Sequence, residues 1–399
     1  MFAHPAFLAS QSMPRFAQLL KTSFEARGHR VHMWSPRAIL YNRLRRGRPS
    51  KWAGYVDQYI FFPLWVRTAL KRTSVQTIFV FCDQALGPWV PLVADRPHVV
   101  HVHDLLALRS ALGDVAENRT SMTGRIYQRY IRRGFRRARH FISISGKTRE
   151  DLHRFGKIAP LTSAMVYHGM NYPYKPLPPT TAQAVLGAAG YNDVPSGLIL
   201  HVGGGQWYKN LPGVIAIYAA YAAQASTPRE LWCISPEPSA AVRSQLRLVP
   251  AGGRVRFFSN LQSSTLQALY SIAGAFLFPS LAEGFGWPLI EAQACGCPVI
   301  TTDEAPMNEV AGPAARYIPR LQATSDIGAW ALHGAAELRK LLAETEPQRR
   351  RRRDLAQEWV KRFDVAKAID DYLAIYQSVL ESGPQCRVGV GRLGQSTRV

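Results

Sequence analysis

The sequence predicts an α/β protein made of two doubly wound parallel-sheet domains. Three observations carry that expectation. The chain has 399 residues, more than one ordinary hydrophobic core organises. Short apolar runs alternate with helical periodicity in both halves, the pattern of parallel strands joined by helical crossovers. Between the halves, Pro173, Pro176, Pro178, Pro179 and Pro195 gather with Gly187 and Gly190, which marks a connection. The expected organisation is a first domain over 1–172, a linker over 173–195, and a second domain over 196–360. A helix over 361–382 crosses back to the first domain, and 383–399 form a disordered tail.

The elements follow in order. Residues 14–27 have helical periodicity, with Ser12 as N-cap and Gly28 as the C-terminal stop. Residues 31–34, 77–82 and 98–103 read as strands. Residues 125–139 read as a basic helix, followed by a strand over 141–144. A short helix over 182–189 sits inside the linker. Alternation restarts with a strand over 198–202, a helix over 211–223, and strands over 231–234, 255–258 and 275–278. A helix starts at Pro288, a strand covers 298–301, and 359–380 are mostly helical. Two such sheets leave a cleft at the C-terminal ends of their strands, where ligands bind in folds of this class.

Apolar residues make up 47% and charged residues 19% of the chain, the balance of a globular protein. Net charge is +22, from 49 Lys and Arg against 27 Asp and Glu. That excess points to anionic partners: nucleotide phosphates, an acidic membrane face or nucleic acid. No nucleic-acid-binding motif appears, so nucleic acid is not expected as a partner. The five Cys are scattered. Cys295 and Cys297 stand one residue apart, short of zinc spacing, so all five read as structural, in a reducing cytoplasm. No apolar stretch reaches the ~20 residues that span a bilayer. His4 and Pro5 interrupt any signal-peptide pattern. The expected location is cytoplasmic, with peripheral contact on the inner face of the plasma membrane.

Basic clusters bear on that contact. Arg43, Arg45, Arg46 and Arg48 precede an aromatic-rich stretch from Trp52 to Trp65. Arg132, Arg133, Arg136, Arg137 and Arg139 share one helix. Charge beside aromatics suits an anionic lipid surface; the bland alternative is a solvated face. The run from Arg349 to Arg353 reads as a solvated helix face.

Two segments carry the chemistry. After the linker, a strand ends at Val202, Gly203, Gly204 and Gly205 turn the chain, and a helix begins beyond Lys209 and Asn210. Glycines let a backbone approach a phosphate closely, and a Lys can neutralise a diphosphate. The spacing is neither a Walker A nor a dinucleotide fingerprint. The second segment runs from Glu283 through Gly284, Phe285 and Gly286 to Glu291. Pro288 fits position N1 of a helix, leaving backbone N–H groups at an open helix start. Glu291 sits in an otherwise apolar helix, where a carboxylate needs a partner. Two carboxylates flanking an amide-rich turn suit a nucleotide-sugar. In the first domain, His103 and Asp104 end a strand that faces the cleft. His101 lies on the opposite strand face and reads as structural.

On these residues the chain resembles the retaining glycosyltransferases of family 4, which have the GT-B fold of two Rossmann-like domains. The motif is Glu283-Gly284-Phe285-Gly286, Pro288 and Glu291, followed by Ala294-Cys295-Gly296-Cys297-Pro298, with Val202-Gly203 and Lys209-Asn210 upstream. The likeness covers about 3–380 and is strongest over 198–312. It implies a sugar moved from a nucleotide-diphosphate donor to a hydroxyl of a saccharide or lipid-linked saccharide, in polysaccharide or glycoconjugate biosynthesis, with no cofactor and no metal. It implies donor contacts from Gly203, Gly204, Lys209, Asn210, Glu283, Gly284, Phe285, Gly286 and Glu291, with Glu291 on the ribose. It implies catalytic roles for His103, Glu283 and Lys209, with His103 orienting a sugar hydroxyl or sharing a proton and Asp104 fixing its tautomer. Ser12, Arg15 and Asp104 would face the acceptor. Lys147 is a further phosphate candidate, and the turn at His168-Gly169 would shape the hinge. One departure stands out: the family often has an Arg where this chain has Gly204. A catalytically inactive homologue, an epimerase and a basic nucleic-acid binder remain as alternatives.

Overall fold

A computed structural model describes residues 1–7, 12–44 and 48–382. Ser10, Gln11, Arg45, Arg46 and the tail from 383 lie outside them, as do the side chains of Ser12 and Arg48. Two parallel sheets form. The first holds β1 (Phe79–Phe81), β2 (His98–Val102), β3 (His140–Ser143) and β4 (Thr162–Met165), side by side in that order. The second holds β5 (Ile199–Val202), β6 (Leu231–Ile234), β7 (Val255–Phe258), β8 (Ala275–Phe278), β9 (Val299–Thr302) and β10 (Arg316–Ile318), in the order β10-β9-β8-β5-β6-β7. Every pair is parallel. Strand order reverses between β8 and β5, which opens a crevice beyond their C-terminal ends. The two motif segments leave those two strands.

Burial explains why the strands read as continuous apolar runs. All of β2, β6, β8 and β9 are buried, as strands covered by helices on both faces must be. The helix Leu211–Ala222 is buried almost all round, so it covers the second sheet rather than facing water. The helix Val365–Glu381 buries Ile369, Tyr372 and Tyr376 against Phe16, Leu20 and Phe24 of Ser12–Glu25. The last helix therefore packs on the first sheet's side of the molecule.

Local differences from the sequence reading have local causes. The strand expected over 31–34 shrinks to a single bridge between Phe2 and Trp34; Met1 to Ala3 offer it only a short neighbour, through Ala3 N to Trp34 O and Trp34 N to Met1 O. The basic helix runs Met122–Phe135, three residues early, because the Ser121 hydroxyl caps it by accepting from Gly124 N. The expected run over 359–380 divides. The helix Glu346–Val360 ends, Lys361–Phe363 make a short turn, and Asp364 caps the next helix by accepting from Lys367 N. The run Arg349–Arg353 is not wholly solvated either. Arg352 and Arg316 both bond the buried Glu344. Cys82, Cys233, Cys295 and Cys297 are free thiols, all buried.

One contact is sharp enough to test. Gly134 of Met122–Phe135 meets Gly87 backbone to backbone: a Cβ on Gly134 would lie 2.1 Å from the Gly87 oxygen. Gly134→Ala must push the helix off the first domain's core. A loss of about 1–3 kcal/mol in denaturant unfolding is expected, with β-sheet signal retained.

Candidate active site

Glu283 and Lys209 meet in the crevice. Lys209 Nζ lies 2.8 Å from Glu283 Oε1, with both side chains largely buried. Ser280 Oγ donates to the same oxygen at 2.9 Å. Lys209 Nζ also sits 4.9 Å above the Phe278 ring, so its charge rests on an aromatic face as well as a carboxylate. The loop that brings Lys209 here is pinned by Asn210. Its amide donates to Pro279 O and its oxygen accepts from Gly213 N, capping the next helix. Both ends of the Asn210 amide thus bond the scaffold, leaving one N–H and one lone pair of the amide uncommitted. Gly203 lies against the His201 ring and Lys209 Cβ. Where the family has Arg, Gly204 is covered by the Gln206 amide; a Cβ there would meet Gln206 Oε1 at 2.2 Å. A neutral amide takes the place of a cation.

The helix Trp287–Ala294 starts one residue before the expected point, so Pro288 is its second residue. Gly286 precedes it at φ +99°, a conformation that only glycine adopts at low cost. Phe285 is buried. Glu291 is buried in this helix and accepts from the Tyr270 hydroxyl at 3.3 Å. Burial pushes its carboxyl up to about 7, with Tyr270, Lys209 and Arg15 pulling the other way. Arg15 is exposed on the first turn of Ser12–Glu25, so its charge reaches Glu291 across the crevice.

The first domain closes the site from the other side. Gly284 presses on it: a Cβ would lie 2.0 Å from the His103 oxygen and 2.9 Å from Asp104 Cβ. Ser145 Oγ and Thr148 Oγ1 both donate to Gly284 O, at 2.8 and 3.1 Å. One residue on, Glu309 accepts from Gly146 N at 2.6 Å and from Lys147 N at 3.3 Å, capping the helix Gly146–Gly156 from the opposite domain. The Trp287 indole donates to Gly169 O.

His103 departs from its expected bonding. Its Nε2 is 2.7 Å from Cys82 O, an acceptor, so Nε2 carries the proton. Its Nδ1 then accepts from His168 Nε2 at 3.1 Å. Cys82, not Asp104, fixes the tautomer, and neither ring nitrogen is left to share a proton with a ligand. Burial holds His103 neutral, and His168 still more so. The His168 ring stacks between His103 and Trp287, with Phe16 edge-on. Asp104 instead caps Leu106 N. Burial, then Asp83 and then Glu283, raise its carboxyl to about 6. Lys147 is paired with Asp151 at 2.8 Å. His101 is buried and bonded to the Tyr376 hydroxyl.

His168, Tyr270, Ser280 and Glu309 escaped the sequence reading as site residues. Only Ser280 carried a local signal, three positions before Glu283. Between the domains, Trp207, Glu283, Lys147, Glu117 and Arg320 line a cavity of about 540 Å³. Among the described residues, no three His, Cys, Asp or Glu side chains group as metal ligands.

Glu291 supplies a test of these electrostatics. Its carboxyl is raised in the folded state, so ionising it costs stability as pH rises from about 4.5 to about 7. Glu291→Gln removes that cost. At pH 8 the variant gains about 2–3 kcal/mol over the parent in denaturant unfolding. The gain shrinks through pH 6 and vanishes below pH 4.5.

Comparison with known proteins places this architecture. Residues 193–351 match the model for glycosyl transferases group 1, and residues 13–172 match that for glycosyltransferase family 4. Over 62 residues the chain is 39% identical to O-antigen chain mannosyltransferase B of Escherichia coli, covering 16% of each. Over 65 residues it is 42% identical to O-antigen chain mannosyltransferase RfbU of Salmonella typhimurium, covering 16% of this chain and 18% of that one. The matched segments thus span less than a fifth of either relative. Sucrose-phosphate synthase from Thermosynechococcus elongatus superposes with a TM-score of 0.69 at 17% identity, over 96% of both chains. WaaG, a glycosyltransferase involved in lipopolysaccharide biosynthesis, gives 0.67 at 16% identity, over 94% of this chain and 99% of that one. With both halves matched and the two-sheet architecture shared, the chain belongs to the group 1, family 4 glycosyltransferases of the GT-B fold.

Proposed function

We propose that the protein transfers a hexose from a nucleoside-diphosphate donor to a hydroxyl of a saccharide or lipid-linked saccharide, with retention at the anomeric carbon. The observation that carries the reading is the 2.8 Å pair of Lys209 and Glu283 beside the Gly284–Gly286 turn at a helix start. An incoming diphosphate competes with Glu283 for Lys209. The freed carboxylate then accepts hydrogen bonds from the sugar's hydroxyls. Backbone amides of 284–286 take up charge as the diphosphate leaves. Glu291 accepts from the ribose. The acceptor oxygen forms the new bond to the anomeric carbon, the bond to the diphosphate breaks, and the acceptor's proton passes to the departing diphosphate oxygen on the same face. This route needs no enzyme nucleophile and no cofactor. His103 acts here as a positioning residue, holding its own carbonyl against Gly284. Mannose is the proposed sugar, and O-antigen-type polysaccharide the proposed product, on the likeness to the two mannosyltransferases. The enzyme would work in the cytoplasm, against the inner face of the plasma membrane.

A panel of nucleotide-sugars, scored by transfer and by donor hydrolysis, tests this. Glu283→Ala and Lys209→Ala should each lower kcat/KM by about 10²-fold or more. Turnover unchanged in both variants overturns the assignment. Gly284→Ala should lower it comparably, by displacing the first domain from the donor turn. Normal turnover in that variant would separate the site from domain contact.

A further inference from the structure

We propose that the face built by residues 39–44 and 50–71 together with the helix Met122–Phe135 docks on an anionic lipid bilayer. Its apolar side chains enter the interface, and its arginines meet the headgroups. It rests on the proposed function only in giving that reading a lipid-linked acceptor.

The apolar evidence is concentrated. Trp52 is 70% exposed, Met122 66%, Ile126 58%, Leu64 54% and Ile60 52%. Single exposed apolar residues are ordinary, but a joined patch is not. These are joined. Trp52 packs edge-on against Tyr55, and Tyr55 and Tyr59 both contact Tyr127. The Tyr59 and Tyr127 hydroxyls bond at 2.6 Å, and Tyr130 meets Tyr59 edge-on. The tyrosines lock the two segments side by side. A π-helical turn at Asp57–Phe61 sits in the middle; it buries Asp57 and Gln58 and turns Ile60 and Phe61 outward.

The charge evidence is independent. Asp57 is the only carboxylate between Glu25 and Asp83. It is buried and accepts from Leu40 N and Tyr41 N. No carboxylate lies between Glu117 and Glu150. Arg125, Arg129 and Arg133 are exposed and make no ion pair among the described residues. Arg132 is held below the usual arginine range by burial and by Arg136 and Arg129. The face thus carries uncompensated positive charge around an apolar centre, which is what an anionic bilayer complements. A nucleic acid would use the arginines and the rings but would leave Ile60, Leu64, Met122 and Ile126 in water.

A chain of contacts links the face to the site. Gly54 packs on Phe7 and Tyr41. His4, three residues before Phe7, bonds Asp83 at 2.8 Å, and the charge of Asp83 reaches Asp104 at the site.

Vesicle flotation of the full chain tests the proposal, without any sugar donor, so its outcome is separate from that of transfer. The parent should float with vesicles of phosphatidylcholine plus phosphatidylglycerol, and not with phosphatidylcholine alone. Trp52→Ser with Leu64→Ser should weaken partitioning at least tenfold. Arg129→Ala with Arg133→Ala should weaken it about fivefold per arginine. Arg350→Ala with Arg351→Ala, on the other domain, should change nothing. Unaltered thermal unfolding of each variant shows that folding is not the cause. The proposal fails if the parent ignores both vesicles. It also fails if the apolar variant floats like the parent, since diffuse adsorption of net charge then suffices. Equal, salt-sensitive binding to a DNA duplex, lost with the same arginines, overturns it as well.

Discussion

The site depends on one close approach, that of Gly284 to the carbonyl oxygen of His103. No side chain fits between them. The first domain can reach the Gly284–Gly286 turn only because the turn has no Cβ at that point. Ser145 and Thr148 then hold the Gly284 carbonyl, and Glu309 reaches back to the helix that carries both. In all of these bonds the first domain donates and the second accepts. The crevice between β5 and β8 would exist without them, but it would have one wall.

Most of the architecture was legible because burial leaves a periodic record. Strands covered on both faces keep continuous apolar runs, whereas the caps Ser121 and Asp364 shift or divide the helices that the periodicity outlines. The Glu283 to Glu291 segment was legible for another reason: glycines at fixed spacing and a carboxylate inside an apolar helix are both costly without a use. What the sequence hid was long-range. The partner of the His103 ring, Cys82, is 21 positions away, and His168 is 65 away. A His followed by an Asp invites a local bond, yet the backbone at the end of β2 turns Asp104 toward its own helix and His103 inward. Asn210 misled in a similar way, since a conspicuous polar residue beside Lys209 proves to be a cap. The strand over 31–34 shows the limit of propensity: a β pattern becomes a strand only beside a partner of equal length.

The electrostatics are arranged in pairs that leave few charges idle. Lys209 is matched by Glu283, Lys147 by Asp151, and Arg320 by Glu117 across the domains. Glu291 and Asp104 differ: among the described residues neither buried carboxyl has an ion-pair partner, and they are bonded to the Tyr270 hydroxyl and Leu106 N respectively. The raised pKa of Glu291 expresses a stability cost held beside the Gly284–Gly286 turn. Surplus positive charge also lies away from this site: on Met122–Phe135, Arg125, Arg129 and Arg133 have no acid paired with them among the described residues.

The cap that Glu309 places on the helix Gly146–Gly156 has a further result. The amide protons of Gly146 and Lys147 have a carboxylate from the far lobe as acceptor. Any parting of the lobes hands those two protons to water at once, while the rest of that helix keeps its internal ladder. Deuterium uptake at these two positions therefore works as an intrinsic gauge of how often the enzyme gapes, read from the backbone without a label.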